Sequence, residues 1–453
     1  MKRFSLICLA TTLAMTAVGI AVPPQETPAA NYEALARGIL SDLVARQFDK
    51  VAARYDARMT QALPVDKLAA SWDGLITQVG TFQSITLIEQ EEAGSSHLVY
   101  ATCAFEKTSL IFRLAFNAQG QFAGFTVVPA SARIPWKAPD YAKPDSFQER
   151  QIVVHSGHFD LPGTLTLPKG PGPFPAVVLV HGSGPNDQDE SVGACKVFKD
   201  LAWGLASRAI AVLRYTKRTR QYGAKSSDDL STFTVKDETI DDAQAAVALA
   251  AATPGINPKR IFIIGHSLGA YVGPRIAAGD PQIAGLVLMA GNTRPMEDLL
   301  VEQIRYLATL NGPVTPEAQK QIDAAEASAK EFRNPELKPG MTVHLLGAEV
   351  PASYVLDLRS YHPVEAAAAL KIPIYILQGG RDYQVRVADF EGWKKGLSGK
   401  PNVHFKLYPD LNHLFVFGAG PSSNLEYIKP GHVSEEVISD IAAWIVAQGG
   451  GAK

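Results

Sequence analysis

Cysteine is scarce: the 453 residues hold three, Cys8, Cys103 and Cys195. Three cannot build a disulfide scaffold or a cysteine-rich zinc module. An excess of charge of one sign is also lacking. Lys and Arg number 43 against 45 Asp and Glu, a formal net charge of −2. A general nucleic-acid binder carries a basic excess, so that class is excluded. The same balance gives no reason to expect a strongly acidic or basic substrate. There is no internal repeat, heptad pattern or low-complexity tract, and the 37 glycines and 30 prolines are scattered. Hydrophobic residues make up 46% and charged residues 19%, enough apolar material for a large core, which excludes intrinsic disorder as the main state.

What is there begins with an address label. Lys2 and Arg3 form a basic start, residues 6–20 are apolar or small without charge, and Gly19 and Ala21 precede Pro23 and Pro24. This pattern predicts a secretory signal peptide over 1–21, cleaved near Ala21, and an exported protein, periplasmic or secreted. The apolar run falls short of the ~20 residues of a spanning helix, and no later segment is a candidate, so no stable membrane insertion is expected after cleavage. Cys103 and Cys195 fall in different parts of the chain, and no bridge between them is expected.

Pro23 to Pro28 read as a spacer. From Asn31, a candidate cap, apolar residues recur at helical spacing through Val44, and a second amphipathic stretch covers 65–79. After Gly80 the period changes, and 84–90, 97–106, 109–117 and 121–128 read as strands. Helices followed by a strand meander predict a compact α+β domain over 31–129. It shows no paired carboxylates, His cluster or phosphate loop. The prolines at 135, 139 and 144 mark a linker over 130–149.

From 150 onward strands and helices alternate. Residues 150–155 and 157–167 suggest an antiparallel entry hairpin, and 176–180 is an apolar, β-branched run suited to a strand buried on both faces. Further strands are expected at 210–213, 260–265, 284–289, 372–377 and 403–407, with helices at 198–208, 237–252, 268–278 and 434–447. The fold class predicted is α/β, a doubly wound and mostly parallel sheet. Such sheets place their sites at the C-terminal ends of the strands.

Those ends hold one connected set of chemistry. Gly265-His266-Ser267-Leu268-Gly269 follows a strand and opens a helix, the setting of a nucleophile elbow. The glycines flank a turn so tight that side chains there would strike neighbouring backbone. A serine needs a base, and in such elbows the acid and the histidine follow the serine along the chain. His413 stands directly after the last buried strand; His404 lies within that strand, and His344 and His362 fall in a separate helical stretch. Asp382 follows the strand at 372–377, with Asp410 as its rival. An oxyanion needs two donors. The backbone N–H of Leu268 supplies one, and the loop His181-Gly182-Ser183-Gly184-Pro185 the other, with Ser183 preferred over Gly184. His181 reads as a structural support of that loop. The acidic run 186–190 reads as solvated loop charge, and the spacing of His155 and His158 does not make a metal pair, so neither metal nor cofactor is expected.

These motifs resemble the α/β-hydrolase superfamily over 150–449, closest to a bacterial group of dienelactone-hydrolase-like and peptidase-like esterases. Supporting text is 181–187, 200–206 and Leu377-Gln378-Gly379-Gly380-Arg381-Asp382-Tyr383-Gln384-Val385. Residues 48–56, 68–72 and 79–82 resemble a small domain of unknown function thought to share the cone-like fold of nuclear transport factor 2. The resemblance implies carboxylic-ester hydrolysis through Ser267, Asp382 and His413. It also implies an aspartate where Thr216 stands, which puts a salt bridge of that loop in doubt. Residues 293–366 exceed what one crossover needs and read as a helical lid, in which Tyr306, Tyr354 and Tyr361 are candidates for lining a pocket. The expected partner is a small-molecule ester, of short to medium acyl length, with homo-oligomerisation left open. Two alternatives stand beside it: a serine peptidase of the prolyl-peptidase type, and a non-catalytic binding protein on the same fold.

Overall fold

The computed structural model describes residues 31–93, 96–130, 136–310, 312–346 and 348–449. The signal expected over 1–21 lies outside them, and no described helix is long and apolar enough to cross a membrane. The chain divides after Ala130 into two compact units.

The first unit runs α1 (Tyr32–Val44), α2 (Phe48–Ala52), α3 (Ala57–Ala62) and α4 (Val65–Val79). Then come β1 (Phe82–Ala93), β2 (Ser96–Phe105), β3 (Ser109–Phe116) and β4 (Phe122–Pro129), paired antiparallel in that order. Asn31 caps α1 as expected, accepting from the Ala34 N–H at 3.0 Å. The sequence did not predict α2 and α3; at one turn and a half they are too short to show a period. Ile39, Leu43, Trp72, Phe105 and Phe112 fill the space between helices and sheet.

The second unit opens with the antiparallel pair β5 (Phe147–Ser156) and β6 (Phe159–Pro168). It continues through β7 (Phe174–Val180), the small hairpin β8 (Ser191–Val192) and β9 (Cys195–Lys196), α5 (Val197–Ala206), β10 (Ala211–Tyr215) and α6 (Arg218–Tyr222). Next are α7 (Asp241–Ala252), β11 (Ile256–His266), α8 (Leu268–Ala278) and β12 (Ile283–Met289). An insertion follows: α9 (Met296–Thr309), α10 (Pro316–Phe332), the hairpin β13 (Thr342–Leu345) and β14 (Ala348–Pro351), and α11 (Ala352–Arg359). The chain closes with α12 (Pro363–Ala369), β15 (Ile374–Gly379), α13 (Val387–Leu397), β16 (Val403–Tyr408) and α14 (Glu435–Ala447).

Eight strands form one sheet in the order β16-β15-β12-β11-β7-β10-β6-β5, parallel from β16 to β10. Val177, Val178 and Leu179 on β7 are fully buried, because helices cover both faces of the sheet. Alternate residues serve opposite faces. Val178, Ile263 and Leu286 pack with residues of α7 and α8, while Val177, Phe262 and Val287 pack with Leu201 of α5 and Ile438 of α14. The expected helix at 237–252 differs at its start: Lys236–Ile240 form a π-helical turn before α7.

Candidate active site

The elbow is built by close backbone approach. Ser267 sits between β11 and α8 at φ 52° and ψ −114°, a left-handed conformation that a non-glycine residue holds only when its surroundings enforce it. A β-carbon on Gly265 would lie 2.3 Å from the Gly269 carbonyl oxygen, and one on Gly269 would lie 2.1 Å from that of Val180. The Ser267 N–H donates to Met289 O at 2.9 Å, tying the turn to β12. The Leu268 N–H opens α8 with no partner among the described residues, at the positive end of the helix dipole.

Asp382 and His413 come together from the loops after β15 and β16. His413 Nδ1 lies 2.7 Å from Asp382 Oδ2, and both residues are buried. The carboxylate is fixed by the Gln384 N–H at 2.8 Å, the Val385 N–H at 2.9 Å and Gln378 Nε2 at 3.2 Å. A ring that donates Nδ1–H to a carboxylate keeps its Nε2 lone pair for proton transfer. Asp410, the rival acid, is exposed and makes no side-chain bond to His413. His404 is exposed on β16; His344 pairs with Glu331, and His362 precedes α12.

His266, which precedes Ser267, brings His413 to the elbow. Its Nε2–H donates to the His413 carbonyl at 3.0 Å, and the two ring centroids are 4.7 Å apart. Ser267 Oγ itself has no hydrogen bond among the described residues. His266 Nδ1 lies 3.0 Å from Glu190 Oε2, both side chains being buried. Burial pulls the His266 pKa down, but the Glu190 charge beside it raises it above the ordinary value. For Glu190, burial pushes up and is outweighed by the His266 charge, so its carboxyl lies below the ordinary range. Sequence reasoning missed this pair: His266 occupies the variable position of its motif, and Glu190 lies 76 places upstream of it.

The loop after β7 lies against the nucleophile. A β-carbon on Gly182 would be 3.2 Å from Ser267 Cβ. The Gly182 N–H donates to Glu190 Oε1 at 2.6 Å, while its carbonyl accepts from Lys217 Nζ at 2.9 Å and Asn186 Nδ2 at 3.1 Å. The Ser183 and Gly184 N–H groups have no partner among the described residues. His181 supports the loop from within: its Nε2–H donates to Asp187 O at 3.1 Å, and burial lowers its pKa to about 4.

Two expectations need correction. The acidic run at 186–190 is not solvated: Asp189 and Glu190 are buried, with Asp189 2.9 Å from Arg214 Nε and 3.1 Å from Lys196 Nζ. Their cationic partners come from other elements, which a local pattern does not reveal. The loop around Thr216 does carry salt bridges, formed by the next two residues. Lys217 Nζ is 3.1 Å from Glu238 Oε1, and Arg218 Nε is 3.1 Å from Asp242 Oδ2, with all four side chains buried.

The insertion touches the loops that carry the site. Tyr306 donates to Ser422 O at 2.9 Å and stacks on Tyr383 at 5.6 Å, lining with Arg381, Asp382 and Arg386 a cavity of about 510 Å³. Tyr361 and Tyr271 line a second cavity of about 280 Å³, together with Met296, Phe332 and Leu358. Tyr354 instead points to Glu238, donating its hydroxyl at 2.7 Å. Cys103 and Cys195 are both buried and unpaired. Among the described residues no three His, Cys, Asp or Glu side chains are grouped to hold a metal ion.

Residues 177–421 match a family described as alpha/beta hydrolase family, and residues 36–125 match a family of proteins of unknown function, DUF3887. A curated relative, Esterase EstD of Thermotoga maritima, is 38% identical over 404 residues, which cover 89% of this chain and 93% of that one. Among solved structures, Est1E from Butyrivibrio proteoclasticus is 16% identical over 66% of this chain and 99% of its own, with a TM-score of 0.42. An esterase from Pyrobaculum calidifontis is 15% identical over 70% and 88%, with a TM-score of 0.42.

Proposed function

This chain belongs to the alpha/beta hydrolase family, and from that premise we propose that it cleaves carboxylic esters through Ser267, His413 and Asp382, with an acyl-enzyme intermediate. It is a carboxylic ester hydrolase, as its relative's name and the family indicate. The assignment of roles is carried by one observation, the buried 2.7 Å bond from His413 Nδ1 to Asp382 Oδ2 beside the elbow that presents Ser267.

In this mechanism His413 Nε2 takes the proton from Ser267 Oγ as the oxygen attacks the ester carbonyl. Asp382 holds the ring and stabilises the imidazolium. The carbonyl oxygen, now negative, sits between the N–H groups of Leu268 and Ser183. The tetrahedral intermediate collapses, His413 passes its proton to the leaving alkoxide, and the alcohol departs. Water then attacks the acyl-enzyme by the same path, giving the carboxylic acid and restoring Ser267.

The substrate class proposed is a neutral ester of short to medium acyl length, met outside the cytoplasm if residues 1–21 direct export. Purified Ser267→Ala should lose at least ~10³-fold in kcat on p-nitrophenyl butyrate and should not label with a fluorophosphonate probe. Full activity in that variant would overturn the assignment. Faster turnover of aminoacyl-naphthylamides than of acyl esters by the wild type would favour a peptidase instead.

A further inference from the structure

We infer that Lys217, held by Glu238 and Tyr354, is a positioning residue that aims the Ser183 N–H at the developing oxyanion and ties that aim to the helical insertion. The inference rests on Ser183 serving as an oxyanion donor in the proposed mechanism.

A trans peptide is planar, so the carbonyl of one residue and the N–H of the next point in opposite directions. Gly182 O and Ser183 N–H belong to one such plane. Whatever grips the carbonyl therefore sets the direction of the N–H. The shorter of its two grips is an ammonium: Lys217 Nζ lies 2.9 Å from Gly182 O, beside the neutral Asn186 Nδ2 at 3.1 Å. Lys217 is 1% exposed, an unusual place for a lysine unless its charge is matched. Its own backbone N–H also donates to Asn186 O at 3.1 Å, so the segment after β10 is fastened to the loop after β7 at two points. A cation on a carbonyl polarises the peptide and makes its N–H a stronger donor.

The matching charge is Glu238, whose Oε1 lies 3.1 Å from Lys217 Nζ. Glu238 stands in the π-helical turn before α7. Its other oxygen accepts from the Tyr354 hydroxyl at 2.7 Å, and Tyr354 belongs to α11 of the insertion. A continuous chain of contacts thus runs from the insertion through Tyr354, Glu238 and Lys217 to the Gly182–Ser183 peptide. Among the described residues neither Lys217 nor Glu238 is hydrogen-bonded to the elbow, so they would act on the reaction through the loop after β7.

The test is the variant Lys217→Met with Glu238→Gln, which removes both charges together so that neither is left buried alone. Purified protein is followed by thermal melting, by kcat and KM on p-nitrophenyl butyrate, and by the Ki of an alkylboronic acid. Addition of Ser267 Oγ to the trigonal boron gives an anionic tetrahedral adduct that needs the oxyanion donors, whereas KM reports the neutral ground state. The expected result is a kcat lower by about 10- to 100-fold, KM within about twofold, and a boronate Ki raised by the same factor as kcat falls. A folded double variant whose boronate Ki stays within about twofold of wild type overturns the inference.

If the double variant does not fold, Tyr354→Phe decides, since it removes one oxygen and keeps both charges. Its kcat and boronate affinity should fall together by about three- to tenfold, and no change in either overturns the inference. Ser267→Ala run alongside separates the two levels. Activity in that variant removes the underlying mechanism, whereas an inactive Ser267→Ala beside an unaffected Lys217→Met/Glu238→Gln removes only the positioning role of Lys217.

Discussion

Replacing Gly269 with alanine should disable the enzyme more than a single methyl would suggest. The added carbon would stand 2.1 Å from the Val180 carbonyl oxygen and 2.9 Å from that of His181. Ordinary contact begins near 3.4 Å, so α8 or the end of β7 must give by roughly 1.3 Å. Both obstacles are backbone in a close-packed interior, where neither can rotate away. Overpacking of this kind costs about 1–3 kcal/mol of stability. The displaced parts are those to which the proposed mechanism assigns the chemistry, because Ser267 caps α8 and Leu268 begins it, while His181 and Gly182 follow Val180. A misplacement of about 1 Å costs about 10²-fold in rate. Gly269→Ala should therefore melt several degrees lower and show kcat down by about 10²-fold or more. Gly273→Ala, one turn along the same helix, is the control. Its β-carbon would meet Leu288 Cδ2 at 2.8 Å, the end of a flexible side chain. Alanine also favours a helix over glycine by about 1 kcal/mol. Its kcat should stay within about threefold of wild type. Wild-type kcat and melting in Gly269→Ala would refute this account of the elbow.

Asp382→Asn should fold and bind substrate while kcat on p-nitrophenyl butyrate falls by about 10³- to 10⁴-fold, because an amide no longer favours the Nδ1–H tautomer of His413. Acid should destabilise the fold through His181. Its pKa falls from 6.5 to about 4 on folding. Below pH 6.5 the unfolded chain gains a proton that the folded one refuses, and stability falls by about 3 kcal/mol as pH drops toward 4. His181→Gln should show a shallower loss over that window in urea titrations, read as the difference from wild type, since the raised His266 pKa acts in the opposite sense in both proteins. Phe112→Ala removes a fully buried ring that packs on Trp72, Phe105 and Phe125, and should cost the first unit about 3–5 kcal/mol, seen as faster proteolysis within 31–130.

Much of this architecture could be read from the sequence, for physical reasons that differ from place to place. Val177, Val178 and Leu179 announce a strand because both of their faces are covered, and no polar residue interrupts them. Gly265 and Gly269 mark the elbow because the turn has no room for a β-carbon at either position. Asp382 and His413 are legible as candidates from their places at two successive strand ends, with Asp410 ranked behind Asp382 for lying only three residues from His413; the fold adds that Asp410 is exposed. Partnerships across the fold were not legible. Asp189 and Glu190 look like solvated charges until Arg214 and His266 are brought to them. Lys217 and Glu238 stand on separate elements and meet only in the fold. A local pattern records which face a residue takes, but not which distant charge will meet it there.

The place where the insertion joins the sheet has a consequence for how this enzyme can change. It leaves after β12 and the chain returns at β15, and those two strands are direct neighbours, with Leu286 opposite Ile374 and Met289 opposite Leu377. The two ends are therefore pinned side by side by the sheet, whatever lies between them. Lengthening a flexible connection between fixed ends is cheap, about 0.6 kcal/mol for each doubling. The segment behaves as a cassette: it could be exchanged, shortened or enlarged with Ser267 at the end of β11 and Asp382 and His413 in the loops after β15 and β16 all staying in register. Selectivity can then evolve by replacement of a module, provided that the new one renews the contact that Tyr354 makes with Glu238, while the strands that present Ser267, Asp382 and His413 stay in place.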